Sequence, residues 1–358
     1  MMDKAEARTL VMHCLPRFQQ AGLPPLEPSA IADVQAKSIA SLWAGMGNVY
    51  RLTIARSGGP PIAIIAKRVE LPARCDSIGD QRKKDSYDVE AAFYAKGHAE
   101  KLIAAGAIVP FPLHVEASGG SGVTICQTQL DGKGSHHGEN EAFVGWLATL
   151  HATYWGHTRA DAACGPSKGL QAQGCYWHLD TRPDEHQRMG SSGWMGRLKL
   201  AARAIDERLK RDPIQSVCHG DAKGANILYS TSEADGKAVP LVYDFQYCGK
   251  ACAAKDLAYF FNVEAGHSDE AQLLGLYHRE LSRRLQEQGD APPTLEALQS
   301  SLELALCDWR RFSEIGLGGW GDGSANHRVQ RVLDRLDGGS ALTSEQAYLE
   351  AMAKEFPC

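Results

Sequence analysis

Residues 218–230 read CHGDAKGANILYS and residues 241–250 read LVYDFQYCGK. Asp221 and Asn226 stand five positions apart between apolar runs, and Asp244 directly follows Leu241-Val242-Tyr243. Carboxylate and carbonyl oxygens at the ends of apolar strands suit a hard divalent cation. They also suit phosphoryl transfer from ATP, which leaves little covalent work to the protein and depends on positioning and charge stabilisation. His219, Asp221 and Asn226 fit the spacing H-x-D-x-x-x-x-N. On this reading Asp221 orients an attacking hydroxyl or accepts its proton. Asn226 offers its side-chain carbonyl to one Mg²⁺, and Asp244 ligates Mg²⁺ across the β- and γ-phosphates. A hairpin running from Asn226 to Asp244 is expected to bring both to the same end of its paired strands.

Other parts of such a site must come from upstream. Lys67 is expected to end the apolar strand Ile62-Ala63-Ile64-Ile65-Ala66, where it can reach the α/β-phosphates. Glu90 lies on the next expected helix as its ion-pair partner, with Asp88 as a rival. Gly45 and Gly47 precede the alternating strand Tyr50, Leu52, Ile54 and would let backbone amides approach phosphate. Residues 8–50 read as helical before turning into that strand. Asp85 or Ser86 is the expected cap of the helix carrying Glu90. Two further strands are expected at 108–116 and 123–130, split by Ser118-Gly119-Gly120-Ser121-Gly122. From residue 139 the pattern turns helical, with Phe143, Leu147, Leu150 and Tyr154 on one face. Further helices are expected at 194–210 and from 268 onward, and short strands only within 214–245. The class is therefore α+β: a small antiparallel β lobe with one helix at 1–128, and a larger helical lobe at 129–358. A cleft between two lobes is where a ligand would be expected.

These motifs resemble the kinase-like small-molecule phosphotransferases, the aminoglycoside phosphotransferase and choline kinase superfamily. CHGD-x-x-x-x-N, DFQ and KDLAYFF, together with VEAAFYAK and LATLHATYW, most closely resemble its ecdysteroid-kinase-like (CHK kinase-like) branch. The likeness runs from about Gly45 to Phe261. It implies a protein-kinase-like bilobal fold, Asp221 as catalytic base, Asn226 and Asp244 as Mg²⁺ ligands, and Lys67 with Glu90 as the phosphate-holding pair. It further implies that Asp256 braces the catalytic loop, and that the hinge receiving adenine lies at Gln127–Leu130. The cofactors implied are ATP and Mg²⁺, with a small-molecule alcohol as acceptor. Ala222-Lys223 stands where the branch more often has Leu-Trp, and Lys223 is either a phosphate contact or an exposed side chain. Gln246 replaces the Gly of D-F-G, as the branch allows.

The rest of the sequence narrows the alternatives. A net charge of −5 and the lack of a basic stripe argue against nucleic acid. No apolar run of membrane-spanning length occurs, and the N-terminal stretch reads as a short amphipathic helix, not a signal peptide. Ten cysteines without C-x-x-C spacing read as reduced thiols, which favours the cytoplasm. Asp256 follows Asp244 by only twelve positions, too few for the activation segment of a protein kinase. No P-loop is present, and Gly45-Met46-Gly47 lacks the third glycine of a dinucleotide fingerprint. His219 and His151 read as structural, and His136-His137 as too few for a metal site. Trp177, Trp194, Trp309 and Trp320 either fill the helical core or line an acceptor pocket. Gly316–Gly321 is either a lid or a tight connection. The alternative to an enzyme is a pseudokinase that binds nucleotide without turnover, and oligomeric state is open between monomer and homodimer.

Overall fold

The computed structural model describes residues 2–42, 45–71, 77–117, 122–266, 268–316 and 323–358. The chain divides into two compact units. One comprises Met1–Lys133 and Leu241–Gln246, the other Gly134–Pro240 and Tyr247–Cys358.

The first unit is built on five strands: β1 (Ile31–Ser41), β2 (Gly47–Arg56), β3 (Ile62–Glu70), β4 (Pro112–Ala117) and β5 (Gly122–Thr128). All neighbours are antiparallel in the order β1-β2-β3-β5-β4. Alternation along β2 and β3 sends Leu52, Ile54, Ile62, Ile64 and Ala66 to one face. Helix α1 (Lys4–Cys14) covers that face with Ala7, Leu10, Val11 and Cys14. Side chains of opposite parity on β3 include Lys67. Helix α2 (Ile78–Ala95) packs on β4 and β5 and buries Tyr87, Val89, Glu90, Phe93 and Tyr94. A short helix α3 (His98–Ala104) follows.

Two features of this unit differ from the sequence expectation. β1 falls within the stretch expected to be helical; only Ile31 and Val34 of its eleven residues are buried, so its sequence carries little apolar alternation. Its pairing with β2, from Ile31↔Arg56 to Ser41↔Asn48, supplies what side-chain pattern does not. Helix α2 also starts well before Asp85. Ser77 caps it, its hydroxyl accepting from the Asp80 amide at 3.1 Å. Gly79 and the charges of 80–85 disguise that first turn as loop.

The second unit is mainly helical: α4 (Glu139–Thr153), α5 (Gly156–Ala163), α6 (Pro183–Arg188), α7 (Gly193–Arg211), α8 (Ala254–Phe260), α9 (Glu270–Glu287), α10 (Leu295–Gly316), α11 (Asn326–Asp337) and α12 (Glu345–Glu355). Strand β6 (Gln215–Cys218) pairs antiparallel with β9 (Gly249–Cys252), and β7 (Ile227–Thr231) pairs with β8 (Ala238–Val242). α10 packs on α7 and α8, and α4 on α9. Trp177 and Trp309 are fully buried in this core, whereas Trp194 is half-buried on α7. Trp320 and most of Gly316–Gly321 lie outside the described residues. No disulfide links the described cysteines. Among the described residues no helix is long and apolar enough to cross a membrane.

The architecture is the α+β one expected, a small antiparallel sheet in one unit and a larger, mainly helical body in the other, but the first unit carries α1 and α3 besides the single helix expected.

Candidate functional site

In the first unit three ionisable side chains meet. Lys67 does not end its strand; β3 runs three residues further, pairing Lys67 with Val49 on one side and Ile125 on the other. The side chain is buried, and its Nζ donates to Glu90 Oε2 at 2.5 Å. Asp244 Oδ1 lies 3.5 Å from the same nitrogen. Burial alone pushes a lysine toward deprotonation, but the charges of Asp244 and Glu90 outweigh it and hold the ammonium well above its ordinary range. Glu90 is 3% exposed; burial raises its pKa, Lys67 pulls the other way, and the Asp244 charge adds to the rise. Two carboxylates sharing one buried ammonium leave an excess negative charge, which a cation would neutralise. Asp88 is not the partner; burial and Asp85 push its carboxyl up.

The local sequence explains Asp244's placement. Its φ is +68°, a left-handed conformation uncommon outside glycine but tolerated by Asp and Asn. Next to it Phe245 stacks on Phe93 of α2, with centroids 3.8 Å apart and planes 7° from parallel. Gln246 Oε1 accepts from Ser86 Oγ at 3.1 Å and Lys83 Nζ at 3.3 Å. Helix α2 thus holds both Glu90 and the residues flanking Asp244.

Gly47 opens β2 at φ +127°, and a Cβ there would meet the Arg68 carbonyl oxygen at 2.0 Å. Close approach of β3 is therefore sufficient reason for this glycine. Gly45, also at positive φ, has open space around it. Gln127 belongs to β5, paired with Ile65, and Leu130 lies two residues beyond that strand; both are half-buried.

In the second unit the loop after β6 carries the other motif. Asp256, in the first turn of α8, accepts the His219 amide on Oδ2 at 2.7 Å and the Gly220 amide on Oδ1 at 2.9 Å. Burial pushes its carboxyl up, but His151 and the Gly220 amide outweigh that and hold it below the ordinary range. His151 is itself buried, 3.2 Å from Asp256 Oδ2 through Nε2 and 2.7 Å from the Tyr277 hydroxyl through Nδ1. Gly220 turns the chain at φ +81°; a Cβ there would meet the Tyr247 oxygen at 2.3 Å. His219 Nδ1 accepts the Asp221 amide at 3.3 Å. Both histidines are structural, as expected. His151, Cys218 and Asp256 cluster closely enough to suggest a metal site, but these hydrogen bonds and the contacts of Cys218 Sγ with the Ala251 and Cys252 oxygens already occupy them.

The Asp221 carboxylate is buried and gripped from two sides. Tyr259 Oη donates to Oδ1 at 3.0 Å. Asn226 Nδ2 donates to Oδ2 at 3.0 Å and to the Asp221 backbone oxygen at 2.9 Å. Lys223 Nζ is 2.9 Å from Oδ2. With its amide nitrogen turned onto Asp221, Asn226 has its carbonyl oxygen to offer a cation. Asn226 ends a one-turn 3₁₀ segment immediately before β7, and Asp244 follows β8 by two residues. A carboxylate such as that of Asp244 and a side-chain carbonyl oxygen such as that of Asn226 are each hard donors of the kind Mg²⁺ takes in preference to a soft metal.

Residues 195–289 match the Ecdysteroid kinase-like family. The matched segment contains Asp221, Asn226, Asp244, Asp256 and Tyr259, so the resemblance carried by CHGD-x-x-x-x-N, DFQ and KDLAYFF is borne out there. No curated protein matches the chain in sequence. Similar solved structures include a microcompartment-associated aminopropanol kinase, 12% identical, covering 98% of this chain and 95% of that one with a TM-score of 0.46. A thermostable mutant of the aminoglycoside phosphotransferase APH(4)-Ia, solved with AMP-PNP and hygromycin B, is 13% identical over 85% of this chain and 94% of its own, with a TM-score of 0.48. A choline/ethanolamine kinase family protein from Mesorhizobium loti is 14% identical over 95% of this chain and 98% of its own, with a TM-score of 0.39. These are likenesses only, and the functional reading rests on the side chains.

Sequence reasoning missed Tyr259 and the ion pair between Lys223 and Asp221. A signal for Tyr259 was present: it stands three residues after Asp256, hence on the same face of α8. Lys223 carried no such signal, because a two-position spacing in a loop does not say where a side chain turns.

Proposed function

We propose that the protein is an ATP- and Mg²⁺-dependent phosphotransferase that phosphorylates a hydroxyl group of a small molecule. The observation that carries this reading is the buried Lys67 held by Glu90 and shared with Asp244. A lysine kept charged on a central strand by a helix glutamate is suited to holding phosphate oxygens, and the excess carboxylate to a metal. In this proposal Lys67 binds the α/β-phosphates and Glu90 fixes its ammonium. Asp244 and Asn226 would hold Mg²⁺, which when bound supplies charge neutralisation at the phosphates. Asp221 accepts a hydrogen bond from the acceptor hydroxyl and takes its proton as the new O–P bond forms and the bond to the ADP oxygen breaks. Its two oxygens have lone pairs beyond those engaged by Tyr259, Asn226 and Lys223. Gly45, Gly47, Gln127 and Leu130 are proposed as backbone and hinge contacts of the nucleotide, residues 1–128 as the nucleotide-binding lobe, and 129–358 as the lobe that receives the acceptor.

The test is ADP release from MgATP across a panel of hydroxyl compounds. The expectation is turnover with at least one, lost by a factor of 10² or more in Asp221→Asn, with nucleotide affinity retained. Nucleotide binding without turnover on any alcohol would instead identify a non-catalytic scaffold. Wild-type turnover in Asp221→Asn would remove that residue from the role of base.

A further inference from the structure

Helix α8 holds the catalytic loop twice. Asp256 clamps the backbone amides of His219 and Gly220, and three residues later Tyr259 reaches the Asp221 side chain. Spacing of three puts both groups on one helix face. Tyr259 is fully buried, wedged against Trp309 at a centroid distance of 4.6 Å, so its ring has little room to turn. Tyr176 Oη lies 3.2 Å from Tyr259 Oη, extending the chain of hydroxyls away from Asp221. Next to Tyr259, Lys255 of the same helix is tied to Asp308 of α10 at 2.9 Å, which fixes α8 against the helical core.

From this arrangement we propose that Tyr259 is a positioning residue for Asp221: its hydroxyl fixes Oδ1, while Asn226 and Lys223 fix Oδ2, so the carboxylate plane is set before an acceptor arrives. The inference rests on the reading of Asp221 as the base. Burial, reinforced by the Asp221 charge, holds the Tyr259 phenol far above its ordinary range, so it remains a donor. A carboxylate attached through one rotatable bond gains most from being held at both oxygens, because misorientation of a base is paid in rate rather than in substrate affinity.

The test uses water as the acceptor, since slow hydrolysis of MgATP needs no identified alcohol. Tyr259→Phe, Asp221→Asn and the double variant are compared in the full-length protein. Tyr259→Phe is expected to lower kcat about tenfold, a fraction of what a base contributes, with KM for MgATP within twofold of wild type. The double variant is expected to be no slower than Asp221→Asn alone, because the phenol acts only through that carboxylate. Independent, multiplying losses would overturn the proposal, as would an unchanged kcat in Tyr259→Phe when Asp221→Asn is slow. A wild-type rate in Asp221→Asn would instead sink the underlying assignment of the base. A crystal structure of Tyr259→Phe gives a readout independent of turnover: a changed Asp221 rotamer supports the role, and an unchanged one overturns it.

Discussion

Asp244 is the residue whose backbone and side chain make opposing demands. At φ +68° most side chains are strained by about 1–2 kcal/mol, and β-branched ones most of all. Asn shares Asp's tolerance of this conformation but lacks the charge that faces Lys67. Asp244→Asn is therefore expected to keep the wild-type thermal midpoint within a degree or two while losing Mg²⁺-dependent ATP hydrolysis. Asp244→Val should lose both, with a stability cost of about 1–2 kcal/mol read from urea unfolding. Equal stability of the two variants would mean that the left-handed conformation imposes no constraint. Equal hydrolysis by Asp244→Asn and wild type would remove the residue from the proposed metal site. The same scale shows what sequence can tell. Asp221, Asn226 and Asp244 stand out as candidates through type and spacing alone. The pairing of Lys67 with Glu90 was legible because a strand-borne lysine followed by a helix glutamate has few other partners. That Lys67 lies mid-strand was not, since Lys67-Arg68 interrupts the apolar run and mimics a strand end.

At the scale of elements, the turn at Gly220 sets the loop that carries Asp221. Its positive φ and the 2.3 Å approach of the Tyr247 oxygen leave no room for a methyl group. Gly220→Ala is expected to lose roughly 2–4 kcal/mol from strain and displacement of the loop, seen as a lower urea midpoint at unchanged slope. An unchanged midpoint would show that the loop adapts at no cost. Here the limits of sequence reading are physical ones. Long helices such as α7 and α9 announce themselves by period. β1 could not, because its stability comes from backbone pairing with β2 while most of its side chains are exposed. Nor could β9, a four-residue strand recognisable only from its partner β6. Helix α2 was recognised but entered late, since Ser77 caps a first turn with no apolar residue besides Ile78.

For the molecule as a whole, titratable groups wholly or partly withdrawn from solvent predict how stability responds to acid. Burial lowers the pKa of His98 and of His186 to about 4, helped by Lys101 in one case and Arg311 in the other. Folded pKa values below the unfolded one mean that protons favour the unfolded chain, so stability present above pH ~6.5 is lost as pH falls toward ~4. Asp308 adds a second window. Burial pushes its carboxyl up, but Lys255 and Arg311 prevail and bring it down to about 2 from 3.8. Its contribution is present above pH ~4 and lost as pH falls to ~2. Thermal midpoints measured from pH 7 to 4 should fall less steeply in a His98→Gln/His186→Gln double variant than in wild type; parallel curves would show that neither imidazole is excluded from protonation. Helix α8 links this acid response to the site, since it carries Lys255 alongside Asp256 and Tyr259. Gene shuffling meets the same linkage as a constraint on breakpoints. A chimera that takes residues 215–226 from one parent and 254–260 from another inherits a loop and its brace that were never selected together, so the two segments travel as a single heritable block even though the chain between them can diverge.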